Sequence, residues 1–181
     1  MTIMTAGAVL CLVIGRMPMT TEYKSSPERN SMNAIQLLKK DHATVKELFT
    51  LFEHAGERAY QTKQAIFGKI YEALGTHAAL EEELFYPAVK HMRSEDLKDL
   101  VREATEEHKI VKTLLAEIVT MSAQEEQYEA KVTVLKESIE HHVKEEEGEM
   151  FPAATKQLST ERLDALGAEM ATRKEALTDQ E

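Results

Sequence analysis

His77-Ala-Ala-Leu-Glu81 recurs 65 residues later as His142-Val-Lys-Glu-Glu146, each copy setting a glutamate four residues after a histidine. A lone histidine precedes each pair by nearly the same interval, 35 residues from His42 to His77 and 34 from His108 to His142. Each pair then runs through an aromatic residue into proline, as Glu81-Glu-Glu-Leu-Phe-Tyr-Pro87 and Glu146-Glu-Gly-Glu-Met-Phe-Pro152. On an α-helix, residues four apart lie on one face, so each imidazole projects beside its carboxylate. Four imidazoles and two carboxylates repeated in this order are the donor set of a two-metal site inside a helical bundle.

The neighbouring residues say where these groups point. His42 shares a stripe with Leu38, Val45, Phe49 and Phe52, while His77 and Glu81 share one with Phe67, Ile70, Leu74, Phe85 and Ala88. Shifting the second half back by 65 or 66 residues lays Ala104, His108, Val111, Leu115 and Ile118 on the first stripe. The same shift lays Val132, Leu135, Ile139, His142, Glu146 and Met150 on the second. Stripes of this period face a core, where a bare carboxylate is costly. A single inward His–Glu pair is ordinarily a hydrogen-bonded core pair. Two pairs at matching points of a repeat, each with a further inward histidine, point to bound cations. Histidine ligates in its neutral form, so affinity is expected to fall in acid.

Six ligands are too many for one tetrahedral zinc, and none is sulfur. Mixed imidazole and carboxylate suits iron, with manganese or zinc as substitutes. His42 and His77 are expected on one iron, and His108 and His142 on the other. Glu81 and Glu146 would bridge ions about 3.5–4 Å apart. A solvent-derived oxo or hydroxo bridge would leave a position for a small molecule.

Placing these groups calls for long helices, and the composition allows them. Only 7 Gly and 4 Pro occur among 181 residues, a one-domain length. The expected class is all-α: two pseudo-symmetric helical hairpins closing an up-down-up-down four-helix bundle, plus a short C-terminal helix. Residues 1–31 read as a disordered leader and linker, 32–158 as the bundle, and 159–181 as the C-terminal helix and tail. Helices are predicted over about 32–55, 60–92, 94–121 and 122–152. Gly56 stops the first, and Pro87 kinks or ends the second. Ser94 caps the third, and Ser122-Ala-Gln-Glu125 is a capping box for the fourth. Ser159 or Thr160 is expected to cap the last helix, to about residue 176.

The net charge of −10 argues against nucleic acid as a partner. Cys11 is alone, which excludes a disulfide framework and fits a reducing compartment. The apolar run 6–14 falls short of the about 20 residues that span a bilayer, and no Lys or Arg precedes it. The expected location is the cytoplasm, away from membranes, with export through that run the less favoured alternative.

Over about residues 32–155 these features resemble the hemerythrin-like family, the His-His-Glu cation-binding domain. Ferritin-like bundles place the carboxylate first, as Glu-x-x-His, the reverse of the order here. The resemblance implies a non-haem di-iron centre held by His42, His77, Glu81, His108, His142 and Glu146. It implies an oxygen, nitric oxide or peroxide ligand, in sensing, carriage or buffering of oxygen, nitric oxide or iron. Two departures separate the chain from the oxygen carriers and align it with the broader bacterial branch. Carriers present two histidines four apart on the third helix, where Lys112 follows His108 here; their fourth helix carries His-x-x-x-x-Asp. An alternative is a redox enzyme consuming peroxide or nitric oxide. Another is a structural or interaction bundle holding zinc or no metal. His54, His91 and His141 are expected outside the site, with Glu82, Glu83, Glu145 and Glu147 solvated or orienting an imidazole. Tyr86 and Phe151 are expected to pack at the bundle end.

Overall fold

The computed structural model describes residues 32–90 and 94–179; the expectations for 1–31 and for His91 lie outside the described residues. Helix α1 (Ala34–His54) starts at a reciprocal cap, in which the Asn33 side chain accepts from the Gln36 N–H and the Gln36 side chain accepts from the Asn33 N–H. Helix α2 (Tyr60–Leu80) continues through a wider, π-helical turn (Glu81–Phe85) into the short α3 (Tyr86–Lys90). Ser94 caps α4 (Glu95–Ile118), and Glu95 and Asp96 set negative charge at its positive end. Helix α5 (Tyr128–Glu145) repeats the plan of α2, with a second π-helical turn (Glu146–Met150) leading into α6 (Phe151–Gln157). Ser159 caps α7 (Thr160–Thr178). Among the described residues there is no strand, and no helix long and apolar enough to cross a membrane.

Helix α1 packs on α2, α4 on α5 and α3 on α4, while α7 lies along α1 and α2. Every residue of the stripes read from the sequence is buried except Ala88, which is half-buried. The buried apolar residues form two separate clusters. One gathers Leu38, Leu80, Phe85, Val101, Met150 and Phe151 with Leu163, Leu166 and Met170 of α7. The other gathers Val45, Phe49, Phe67, Leu74, Val111, Leu115, Leu135 and Ile139. His42, His77, His108 and His142 fall between the two along their helices, so a polar layer divides the core.

Both prolines are passed rather than obeyed. Proline has no N–H, and its ring crowds the carbonyl four residues back. A widened turn immediately before it absorbs that misfit without ending the helix. In these turns the Tyr86 N–H donates to the Glu81 carbonyl and the Phe151 N–H to the Glu146 carbonyl, five residues back. The added residue also moves the inward face, so Tyr86 and Val89 are buried where an unbroken α-helix would bury Ala88.

The capping box at Ser122 forms only in part. The Glu125 side chain accepts from the Ser122 N–H, but the Ser122 hydroxyl accepts from Gln124, and α5 begins only at Tyr128. Burial of Ala123 and Tyr128 holds residues 122–127 as a turn under the helix ends, and that tertiary anchor overrides the local signature.

Gly167 is where α7 approaches the N-cap of α1. A Cβ there would lie 2.7 Å from Ala34 N and from Asn33 C, and closer still to Met32 O. Backbone cannot rotate away, so Gly167→Ala is expected to cost about 1–3 kcal/mol, read as a lowered midpoint in denaturant with unchanged slope. An unchanged midpoint would show that α7 does not dock here.

Candidate metal centre

The helices bring all six sequence-predicted residues into one buried cluster. His42 Nε2 lies 3.2 Å from His77 Nε2, and His108 Nε2 lies 3.2 Å from His142 Nε2. Between these pairs sit the carboxylates. Glu81 Oε2 is 3.1 Å from His77 Nε2, 3.3 Å from His108 Nε2 and 4.0 Å from His142 Nε2. Glu146 Oε2 is 3.3 Å from His42 Nε2 and 3.5 Å from His142 Nε2. Each carboxylate thus touches histidines of both pairs, the arrangement a bridging ligand requires. The ligand atoms fall into two overlapping groups, His42–His77–Glu81–Glu146 and Glu81–His108–His142.

Behind the imidazoles stands an outer ring of carboxylates. His42 Nδ1 is 2.9 Å from Glu147, His108 Nδ1 2.9 Å from Glu82, and His142 Nδ1 2.8 Å from Glu107. His77 Nδ1 faces Asp41 Oδ2 at 4.0 Å. A carboxylate accepts the Nδ1–H and so presents Nε2 inward as a bare lone pair. The centre therefore collects lone pairs with few donors. Glu81 Oε1 and Glu146 Oε2 are buried with no hydrogen-bond partner, though the side chains of Glu81 and Glu146 are 0% and 1% exposed. Convergent buried acceptors without donors are what a cation satisfies, and the residues fit one.

Of the outer acids, Glu82 and Glu147 carry out the imidazole-orienting role allowed for them, whereas Glu83 pairs with Arg173 on the surface. Sequence reasoning missed Asp41 and Glu107. Each directly precedes a lone histidine, at 41–42 and 107–108, and that repeated acid–histidine dipeptide was the available signal. It also missed Tyr86, placed by the π-helical turn within the cluster rather than merely at the bundle end. Its hydroxyl donates to Glu146 Oε1 at 2.9 Å and lies 3.3 Å from His108 Nε2. The matching Phe151 instead stacks on His42, with ring centroids 5.8 Å apart and planes inclined by 8°. His54 and Tyr71 are exposed, and His141 faces outward.

The two flanks also differ. Lys112, which stands where oxygen carriers have a histidine, bonds both oxygens of Glu82 at 2.6 and 2.7 Å and closes the His108 side. On the other flank Glu147 and His42 border a groove of about 800 Å³ between α1 and α5, with Phe49, Val143 and Lys46 among its walls.

Before a cation binds, protons supply the positive charge. Burial works against an imidazolium at His142, yet the Glu107 hydrogen bond and the charges of Glu146 and Glu81 outweigh it and raise the pKa to about 9. At His42 burial is likewise overcome by Glu146, and the pKa rises. Burial pushes the Glu81 carboxyl up, but His77, His108 and His142 hold it well below the usual range. Burial and the charges of Glu81 and Glu146 push the Tyr86 phenol up, so it remains a donor.

Comparison with known proteins adds an independent finding. A family model described as Hemerythrin HHE cation binding domain matches residues 33–154. A Nostoc protein named DNA nickase is 31% identical over 81% of this chain, which spans 40% of that protein's length. An uncharacterized hemerythrin-like protein of Schizosaccharomyces pombe is 27% identical over 67% of this chain and 59% of its own length. Among solved structures, a hemerythrin HHE cation binding domain-containing protein from Mycobacterium kansasii superposes with a TM-score of 0.71. It is 28% identical, with 82% of this chain and 89% of that chain covered.

The raised pKa of His142 fixes a sign. The stability it lends the metal-free protein is complete below the unfolded value of 6.5 and is lost as pH rises through about 9. Over the same range a metal competes with fewer protons. The gain in melting temperature on loading with metal is therefore expected to grow from pH 6.5 to pH 9, and Glu107→Gln to flatten that growth. A gain independent of pH in the wild type would overturn the assignment of His142.

Proposed function

Because the chain belongs to the hemerythrin HHE cation-binding family, we propose that it is a non-haem di-iron protein binding oxygen or a related small ligand, nitric oxide or peroxide. Sensing, carriage or buffering of oxygen, nitric oxide or iron is the role this reading assigns. The observation that carries it is the pair of imidazole pairs sharing two buried carboxylates, with one oxygen of each carboxylate lacking a hydrogen-bond partner. His42 and His77 would hold one ion and His108 and His142 the other, with Glu81 and Glu146 between them. Nitrogen and oxygen donors without sulfur favour iron, with manganese or zinc as substitutes. Bound iron would supply reversible electron transfer and a coordination position for a small ligand.

The chain's own residues set the terms of that chemistry. Outer carboxylates fix three of the imidazoles, and apolar clusters on both sides exclude bulk water. The groove beside His42 supports entry of a small molecule on that flank. Tyr86, a buried phenol bonded to Glu146, keeps a proton beside the ligands. It favours as second reading a redox enzyme that consumes peroxide or nitric oxide. Nucleic acid has no place in this proposal, given the net charge of −10; the name of the Nostoc relative describes a protein of which the chain spans 40%. The cytoplasm is the proposed location.

Metal analysis of protein purified without added metal is expected to find about two iron ions per chain, with near-ultraviolet bands of a bridged ferric pair. Zinc in excess, with iron below one per chain, would end the di-iron reading. Steady-state turnover of peroxide or nitric oxide would separate the enzyme from a stoichiometric binder.

Lys112→Met, which removes the ammonium without adding a nitrogen or oxygen ligand atom, tests the closed flank. Losing the Lys112 bond frees Glu82 from its clamp and loosens the orientation of His108, so iron should be held about 10–100-fold less tightly against a chelator. Retention equal to the wild type would show that the Lys112–Glu82 pair is idle.

A further inference from the structure

The outer carboxylates of the two hairpins are finished differently, and the difference exposes a second cluster of ligand atoms. In the first hairpin, Asp41 turns one oxygen toward His77, and its other oxygen pairs with the Lys174 ammonium of α7. In the second, Glu107 gives one oxygen to His142, and its other oxygen faces His141 Nε2 at 3.4 Å. His141 Nε2 also lies 3.3 Å from Glu145 Oε1. Among the described residues no Lys or Arg pairs with Glu107 or Glu145. Thr76 and Leu80 stand at the positions matching His141 and Glu145, so the first hairpin offers one carboxylate where the second offers three ligands.

We propose that Glu107, His141 and Glu145 form a third cation site on the surface, separate from the buried centre but sharing Glu107 with it, and taking a divalent ion of zinc or ferrous type. Each residue offers one ligand atom, and the three atoms lie within 4.8 Å of one another. One imidazole and two carboxylates from two helices are a three-ligand set whose remaining positions water fills. His141 and Glu145 are one turn apart on α5, which fixes two of the ligands on a rigid element. Glu107 is fixed by its bond to His142. His141 is 60% exposed, so an ion arrives from solvent without any opening of the bundle. The cation does at Glu107 what the Lys174 ammonium does at Asp41: it neutralises the outward oxygen of an acid whose inward oxygen faces a histidine.

The test uses iron-loaded full-length protein dialysed against chelator-buffered Zn2+, with zinc and iron counted separately. Wild type is expected to take up about one zinc per chain beyond its iron. His141→Ala and Glu145→Ala are expected to weaken that uptake by at least about tenfold while the iron content and the optical spectrum stay unchanged. Both side chains reach solvent, so neither variant threatens the fold. If the protein carries no iron, the same titration in Co2+ is read as the difference between wild type and His141→Ala, which cancels cobalt taken up by the buried centre and is expected to be about one ion per chain. This outcome is independent of what the buried centre holds. No uptake by the wild type, or equal uptake by His141→Ala, would overturn the proposal and leave His141 as a surface histidine beside two acids.

Discussion

Lone pairs that converge where few donors reach them are the constraint on which this fold rests. Two apolar clusters meet across a layer of four imidazoles and two carboxylates. Behind three of the imidazoles an acid takes up the outer nitrogen and leaves the inner one bare. Such a layer would weaken any core unless positive charge sat within it, as protons or as metal. The helices, their pairing and the outer acids all serve to hold that layer in place. Nothing else in the described residues requires so many buried polar groups.

The frame is a near-repeat, yet the two halves are finished differently. At matching positions Tyr86 offers a hydroxyl to the centre and Phe151 an apolar ring face. Lys112 seals Glu82 on one flank, while Glu147 borders an open groove on the other. Helix α7 packs mainly along the first hairpin, where Lys174 reaches Asp41. A symmetric scaffold therefore presents an asymmetric environment, with Tyr86 and the Lys112–Glu82 pair at His108 and Phe151 and a groove at His42.

Much of this was legible in the sequence because helical spacing and ligand spacing coincide. His77–Glu81 and His142–Glu146 declare one face, and the stripes around them fixed which face was inward. What escaped was set by contacts between helices or by a break in periodicity. Glu107 serves His142 from another helix, so no local spacing ties the two. Tyr86 was misplaced because the π-helical turn inserts a residue into an otherwise regular count, and the same turn puts Val89 rather than Ala88 in the core. The box at Ser122 is a sound local signature overruled by burial of Ala123 and Tyr128.

The divided core has a consequence for how the chain assembles. Helix pairs within each hairpin are neighbours in sequence and zip together quickly, since little chain must be closed to join them. Each hairpin then carries three of the six lone-pair groups, still open to water. Merging the hairpins strips that water and crowds like partial charges, so the electrostatic burden falls on this late docking step alone. A cation held between the hairpins would relieve that burden at the docking step.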